Sequence, residues 1–180
     1  TSVGEGKRVG IVGLDTSHSI AFTEALNAAQ SVYHGYHVVA AYPPGSVDIE
    51  SSVSRIPGYT ASMKAMGVKI VNSIDELLAG VDVVLMETND GRRHLEQTIP
   101  VLKSGKRVFI DKPLAASLAD GIAIMELSRR FRTPVFSASS LRFISTVKDV
   151  INGKVGKVLG ADAYSPCELE KTHPDFFWYG

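Results

Sequence analysis

The chain has 180 residues, enough for one full domain and part of another. Its 19 Lys and Arg balance its 19 Asp and Glu, so no net charge recruits nucleic acid or an acidic membrane surface, and 44% apolar residues suit a globular core. The single cysteine, Cys167, excludes an internal disulfide framework, no apolar run reaches transmembrane length, and Thr1 to Lys7 lack a signal-peptide pattern, so a cytoplasmic setting is expected.

Short β-branched runs alternate with stretches of helical period, the pattern of a parallel sheet covered by crossover helices. Arg8 to Leu14 is nearly all apolar, as a strand buried on both faces must be. Ser19 to Gln30 reads as a helix with Phe22, Leu26 and Ala29 on one stripe. A second strand, Tyr36 to Ala41, ends in the turn Tyr42-Pro43-Pro44-Gly45-Ser46. Val47 to Gly67 should hold one or two short helices interrupted at Pro57-Gly58, and Lys69 to Val71 a brief strand. Ser73 to Glu76 has the form of a capping box, opening a helix that carries Leu77 and Leu78. Val81 to Met86 is another buried strand. His94 to Ser104 is a helix closed by Gly105, which Pro100 is expected to kink or loosen by a turn. Arg107 to Ile110, a helix capped by Ser117 and running to about Arg130, and Val135 to Ala138 complete a six-stranded expectation. Beyond them, Arg142 to Ile151 reads as helical, Lys157 to Tyr164 as a further strand, and the aromatic cluster Phe176-Phe177-Trp178-Tyr179 as a surface that packs on something.

Ligands of open α/β sheets bind at the carboxyl ends of the strands, and four such ends are legible. Gly13-Leu14-Asp15-Thr16-Ser17-His18 stands where a dinucleotide fold holds pyrophosphate on helix N–H groups. Only the first glycine of the usual pattern is present. Asp15 replaces the second, and its carboxylate either repels a phosphate or caps the helix. At the second end, Tyr42 occupies the place where an acid usually binds ribose hydroxyls, so selectivity for NAD over NADP is not supported. The third, Glu87 to His94, holds Asp90 as a helix cap and Arg92 and Arg93 as a solvated first turn. Thr88, Asn89 and His94 are candidates to face a nicotinamide or a substrate. The fourth is Asp111-Lys112-Pro113, whose lysine can exchange a proton with a substrate hydroxyl.

In order, the glycine turn at Gly13, the Thr88-Asn89…His94 loop and Asp111-Lys112-Pro113 resemble the Gfo/Idh/MocA family, whose hallmark is Glu-Lys-Pro. Gly105-Lys106-Arg107-Val108 resembles the family's lead-in to that motif. The resemblance implies a Rossmann-type doubly wound α/β domain over residues 1–141. Residues 142–180 would then be a linking helix and the beginning of a truncated C-terminal α+β substrate domain. It further implies Lys112 as the catalytic lysine of an NAD- or NADP-dependent dehydrogenase of a sugar or polyol, homo-oligomeric in full-length form. The cofactor would lie against Gly13, Leu14, Asp15, Thr16, Ser17, His18, Tyr42, Thr88, Asn89, His94, Asp111 and Lys112. The family's second catalytic residue, a histidine, would fall beyond the chain end.

Two rivals remain at this stage. One is a catalytically silent nucleotide- or sugar-binding protein on the same fold, its phosphate turn spoiled by Asp15 and His18. The other gathers Asp15, His18, Glu87 and His94 as carboxylate and imidazole ligands of a metal, although their spacing is not diagnostic and no metal is expected.

Overall fold

The computed structural model describes residues 6–29, 32–162, 164 and 171–172. They form two compact units divided between Ser137 and Ala138. In the first unit, strands and helices alternate. They run as β1 (Arg8–Val12), α1 (Ser17–Asn27), β2 (His37–Tyr42), α2 (Glu50–Val53), α3 (Ile56–Ala65), β3 (Lys69–Ile70), α4 (Ile74–Gly80), β4 (Val83–Met86), α5 (Gly91–Lys103), β5 (Val108–Asp111), α6 (Leu118–Phe131) and β6 (Val135–Ala138).

The sheet has the order β3-β2-β1-β4-β5-β6, and its pairings from β3 to β5 are parallel. Right-handed crossovers on a parallel sheet give this doubly wound order, with the direction reversing between β1 and β4. The expected Rossmann-type architecture is therefore the observed one. β1 is apolar throughout its buried length because helices cover both of its faces. One face packs Val12, Val84, Met86, Val108 and Ile110 under α4, α5 and α6, and the other packs Val9, Ile11, Val38 and Ala41 against α1 and α3.

Local signals set the helix ends. Thr16 caps α1 by accepting from the His18 N–H, Ser73 caps α4 by accepting from the Glu76 N–H, and Ser117 caps α6 by accepting from the Asp120 N–H. Four sequence expectations change. α1 begins at Ser17, and its fully buried positions are Ser19 and Thr23 rather than the Phe22, Leu26 and Ala29 stripe. Both hydroxyls bond helix carbonyls, Ser19 Oγ to Thr16 O and Thr23 Oγ1 to Ser19 O, each at 2.7 Å, so these side chains enter the core with their polarity met. The break between α2 and α3 falls at Ser54 and Arg55, ahead of Pro57, which sits in the first turn of α3 where its missing N–H costs nothing. α5 starts at Gly91, directly after its Asp90 cap and ahead of the expected His94, and it contains Pro100.

The fourth change is in the second unit, which holds a 3-10 turn (Ser140–Phe143) and α7 (Ser145–Ile151). No strand forms among the described residues of Lys157 to Tyr164, all of them exposed. A strand without a neighbour leaves its ladder groups unpaired, and no described neighbour lies beside this one. The aromatic cluster at 176–179 lies outside the described residues. Among the described residues, no helix is long and apolar enough to cross a membrane.

Candidate functional site

The carboxyl ends of β1, β4 and β5 bring the candidate residues to one edge. Gly13 leaves β1 with φ +89°, and a Cβ there would meet Thr88 backbone and hydroxyl atoms at 2.4–2.5 Å. Glycine is needed at this position because the loop after β4 passes so close, as much as for any ligand. The Gly13 and Leu14 N–H groups then bond the Tyr42 and Pro43 carbonyls, both at 2.9 Å, which draws the loop after β2 over the turn.

Asp15 is the centre of that arrangement. It is fully buried, and its carboxylate accepts from the Ser46 N–H at 2.8 Å and from the Asn89 N–H at 3.0 Å. One side chain thereby ties the turn after β1 to the loops after β2 and β4. Burial pushes the Asp15 carboxyl above its ordinary range, against the pull of those two N–H groups. Thr16 is the residue that caps α1, so Asp15 neither caps the helix nor turns toward its N-terminus. Gly45 makes this fit possible, since a Cβ there would lie 2.2–2.6 Å from the Asp15 carboxylate.

The same inward economy extends around the loop. Ser46 Oγ donates to Asp90 Oδ2 and accepts from the Ile49 N–H, both at 3.2 Å. Asp90 caps α5 and holds Arg92, whose guanidinium also reaches Asp48, so Arg92 is locked by two carboxylates and its pKa is raised. Thr88 donates to Gln97 Oε1 at 2.6 Å, and Gln97 Nε2 donates to the Pro44 carbonyl at 3.1 Å. Asn89 donates its side-chain amide to Ser52 Oγ at 3.0 Å. His94 is fully buried, with Nε2 2.6 Å from the Thr88 carbonyl oxygen and Nδ1 3.2 Å from the Leu114 carbonyl oxygen. Leu14, Asp15, Thr88 and His94 are thus enclosed in the protein and shape the edge from beneath, while the Asn89 side chain is engaged with α2.

Toward β5 the character changes. His18, in the first turn of α1, places Nδ1 2.6 Å from Asp111 Oδ2 and pins the helix start to the end of β5. Glu87, immediately after β4, is fully buried, and neither carboxylate oxygen has a hydrogen-bond partner. Its pKa is raised well above the ordinary carboxylate range, first by burial and then by the Asp111 charge, with Lys112 partly opposing. Lys112 itself is exposed. It precedes Pro113 through a cis peptide, and the following loop is anchored where the Ala116 N–H bonds the Gly91 carbonyl. A Cβ on Gly91 would stand 2.9 Å from Ala116 N and Pro113 Cγ, so α5 and this loop are in close contact.

Of the four residues in the metal reading, only His18 and Glu87 meet, and their third neighbour is Asp111. Asp15 and His94 are turned to other partners. Sequence reasoning gave no role to Gly45, Gly91 or Gln97 and noted Ser46 only in passing. A glycine after Pro43-Pro44 and another directly after the Asp90 cap were the visible signals for two of them.

Residues 7–138 match the model of the Gfo/Idh/MocA oxidoreductase family, described by an NAD-binding Rossmann fold. The chain is 35% identical over 96 residues to the inositol 2-dehydrogenase of Gluconacetobacter diazotrophicus, a match covering 50% of this chain and 28% of that protein. It is 29% identical over 119 residues to inositol 2-dehydrogenase 3 of Saccharopolyspora erythraea, covering 66% of this chain and 31% of the relative. Among solved structures, the WlbA dehydrogenase of Bordetella pertussis, in complex with NADH and UDP-GlcNAcA, superposes with a TM-score of 0.63 at 22% identity. That superposition covers 84% of this chain and 44% of the other. The matches thus span less than a third of the length of these curated relatives.

Proposed function

The chain belongs to the Gfo/Idh/MocA oxidoreductase family, and from that premise we infer that it is the cofactor-binding part of an NAD- or NADP-dependent dehydrogenase acting on a sugar, polyol or related hydroxy compound. One observation carries the reading: Lys112 stands exposed on the strand edge that also holds the first turn of α1. The curated relatives named above are inositol dehydrogenases, which supports the substrate class.

The residues present fit a dinucleotide. Ser17 is exposed at the first turn of α1, and the Asp15 carboxylate is engaged inside the protein instead of standing before that turn. The phosphate repulsion on which a silent binder depends is thereby removed. Thr16 and Ser17, at the start of α1, would lie against the pyrophosphate, which the helix dipole favours, while the His18 N–H is already taken by the Thr16 cap. Gly13 keeps the turn tight against β4, and Tyr42 closes the ribose side without supplying a carboxylate, which leaves room for either cofactor. Thr88, Asn89 and His94, engaged with their own partners, would shape the pocket floor under the nicotinamide.

A bound nicotinamide would supply hydride-transfer chemistry at the substrate carbon. Lys112 Nζ, in its amine form, would take the hydroxyl proton in oxidation and, as the ammonium, return one in reduction, and Asp111 keeps the strand end beside it anchored to His18. Titrating the protein with NADH and with NADPH, while following cofactor fluorescence, tests the assignment. Saturable binding of at least one is expected, and no response to either overturns it.

A further inference from the structure

We propose that His18, Glu87 and Asp111 form a binding site for a divalent first-row metal cation, with Zn2+ as its simplest occupant, at the carboxyl edge between β1, β4 and β5. One ligand atom from each residue lies within 4.8 Å of the others. They come from three separate elements, the first turn of α1, the loop after β4 and the end of β5, so the fold assembles the cluster and no single loop does.

Glu87 is the independent observation that singles this cluster out. A buried polar group without a partner costs roughly 1–3 kcal/mol, and natural cores keep few of them. Asp15, equally buried at the neighbouring strand end, meets two backbone N–H groups, whereas both Glu87 oxygens meet none. A dication answers what is otherwise unexplained, because a metal accepts a carboxylate oxygen without needing a hydrogen between them. Two carboxylates and a neutral imidazole carry a charge of −2, which a dication cancels.

The chemistry and the space also agree. Imidazole nitrogen with carboxylate oxygens suits Zn2+ and neighbouring first-row ions. Ligand bonds of about 2.0–2.1 Å in a tetrahedral shell set neighbouring donors roughly 3.3 Å apart. The 2.6 Å hydrogen bond between His18 Nδ1 and Asp111 Oδ2 would open by under about an ångström and lose its proton to solvent as the metal enters. Access lies on the His18 side, whose side chain is 29% exposed against 6% for Asp111. Three protein ligands leave a fourth position for water or a substrate oxygen, the arrangement of a reactive zinc rather than a structural one.

The site does not depend on the dehydrogenase reading, and its test is made without nucleotide. The protein is stripped with EDTA, dialysed, and titrated with ZnCl2 by calorimetry, with Co2+ absorption as a reporter of nitrogen and oxygen ligation. One saturable Zn2+ per chain is expected, together with affinity at least about tenfold weaker in Glu87→Gln and in His18→Ala. Glu87→Gln keeps the side-chain shape, and a cooperative thermal transition in EDTA, with a midpoint matching the wild type's at about pH 4 where Glu87 is protonated, confirms that it folds. No saturable binding by the wild type, or equal binding by both variants, overturns the proposal. NADH binding without zinc binding overturns this site alone, and zinc binding without NADH binding overturns only the cofactor reading.

Discussion

Asp15 and Glu87 stand just beyond the ends of the paired strands β1 and β4, both fully buried, yet the protein treats them in opposite ways. Around Asp15 the polar groups close on one another: the carboxylate takes two backbone N–H groups, Ser46 bridges to Asp90, and Asp90 holds Arg92. Around Glu87 they do not close. Its oxygens are unpartnered, the adjoining His18–Asp111 pair is partly open to solvent, and Lys112 beyond it is exposed. Satisfied networks rigidify, whereas perturbed and unsatisfied groups in a cleft mark places that interact with something else. One half of the edge is scaffold and the other half is open to chemistry.

The largest effect should come from the open half. General acid–base help is worth about 10²–10⁴ in rate, or about 3–5 kcal/mol of barrier. On the proposed role of Lys112, which would act in the transition state, Lys112→Ala should lower turnover in the complete enzyme by that order and leave cofactor affinity nearly intact. Lys112→Arg should recover little, since a guanidinium keeps its proton. Normal turnover in the alanine variant would erase the contrast between the two halves.

Next comes the scaffold. Asp15→Ala strands the buried N–H groups of Ser46 and Asn89 and should cost roughly 2–4 kcal/mol of folding stability, read as a shift in the urea midpoint. A change of a few tenths would mean that the loops after β2 and β4 hold themselves in place. The same contacts bear on Asp15→Gly, which should lower stability without tightening a dinucleotide, because the carboxylate is engaged with the Ser46 and Asn89 N–H groups.

How much of this was legible in the sequence divides along the same line. β1, β4 and β5 were plain because a strand covered on both faces must be continuously apolar. Ser73, Asp90 and Ser117 were plain because capping is settled within three residues. The helical stripe of α1 misled, since its core-facing Ser19 and Thr23 satisfy their hydroxyls on helix carbonyls and look polar in a pattern. Asp15 was readable as a departure from the glycine pattern but not as a strut, because its partners arrive from 31 and 74 residues further along. Lys112 was marked by its motif, and the meeting of Glu87 with His18 and Asp111 required the strand order itself.

A smaller test sharpens the scaffold side. Ser46→Ala removes the hydroxyl that links Asp90 to the Ile49 N–H. Asp90 keeps its bonds to Arg92, so only one neutral donor is left wanting, and a loss of about 1 kcal/mol is expected. A loss as large as that of Asp15→Ala would show that the network fails as a unit, with Ser46 its keystone.

The smallest effect, and the most diagnostic, belongs to Glu87→Gln, measured in EDTA. Below pH 4.5, the ordinary value, Glu87 is neutral whether the chain is folded or unfolded, and glutamine matches it in shape and charge. Stability should therefore be nearly unchanged there. The folded-state pKa is raised, so the stabilisation of the wild type is fully present below the unfolded value and is lost as pH rises through the folded one. Glutamine does not titrate, and the variant should gain on the wild type as pH increases from about 4.5, with Asp15 and the other groups not coupled to Glu87 cancelling in the difference. Thermal midpoints of both proteins from pH 4 to 8 measure this, and parallel curves would mean that Glu87 is solvated or paired in solution. Added Zn2+ should reverse the sign, since a cation binds the ionised carboxylate and the wild type would then be the more stable of the two.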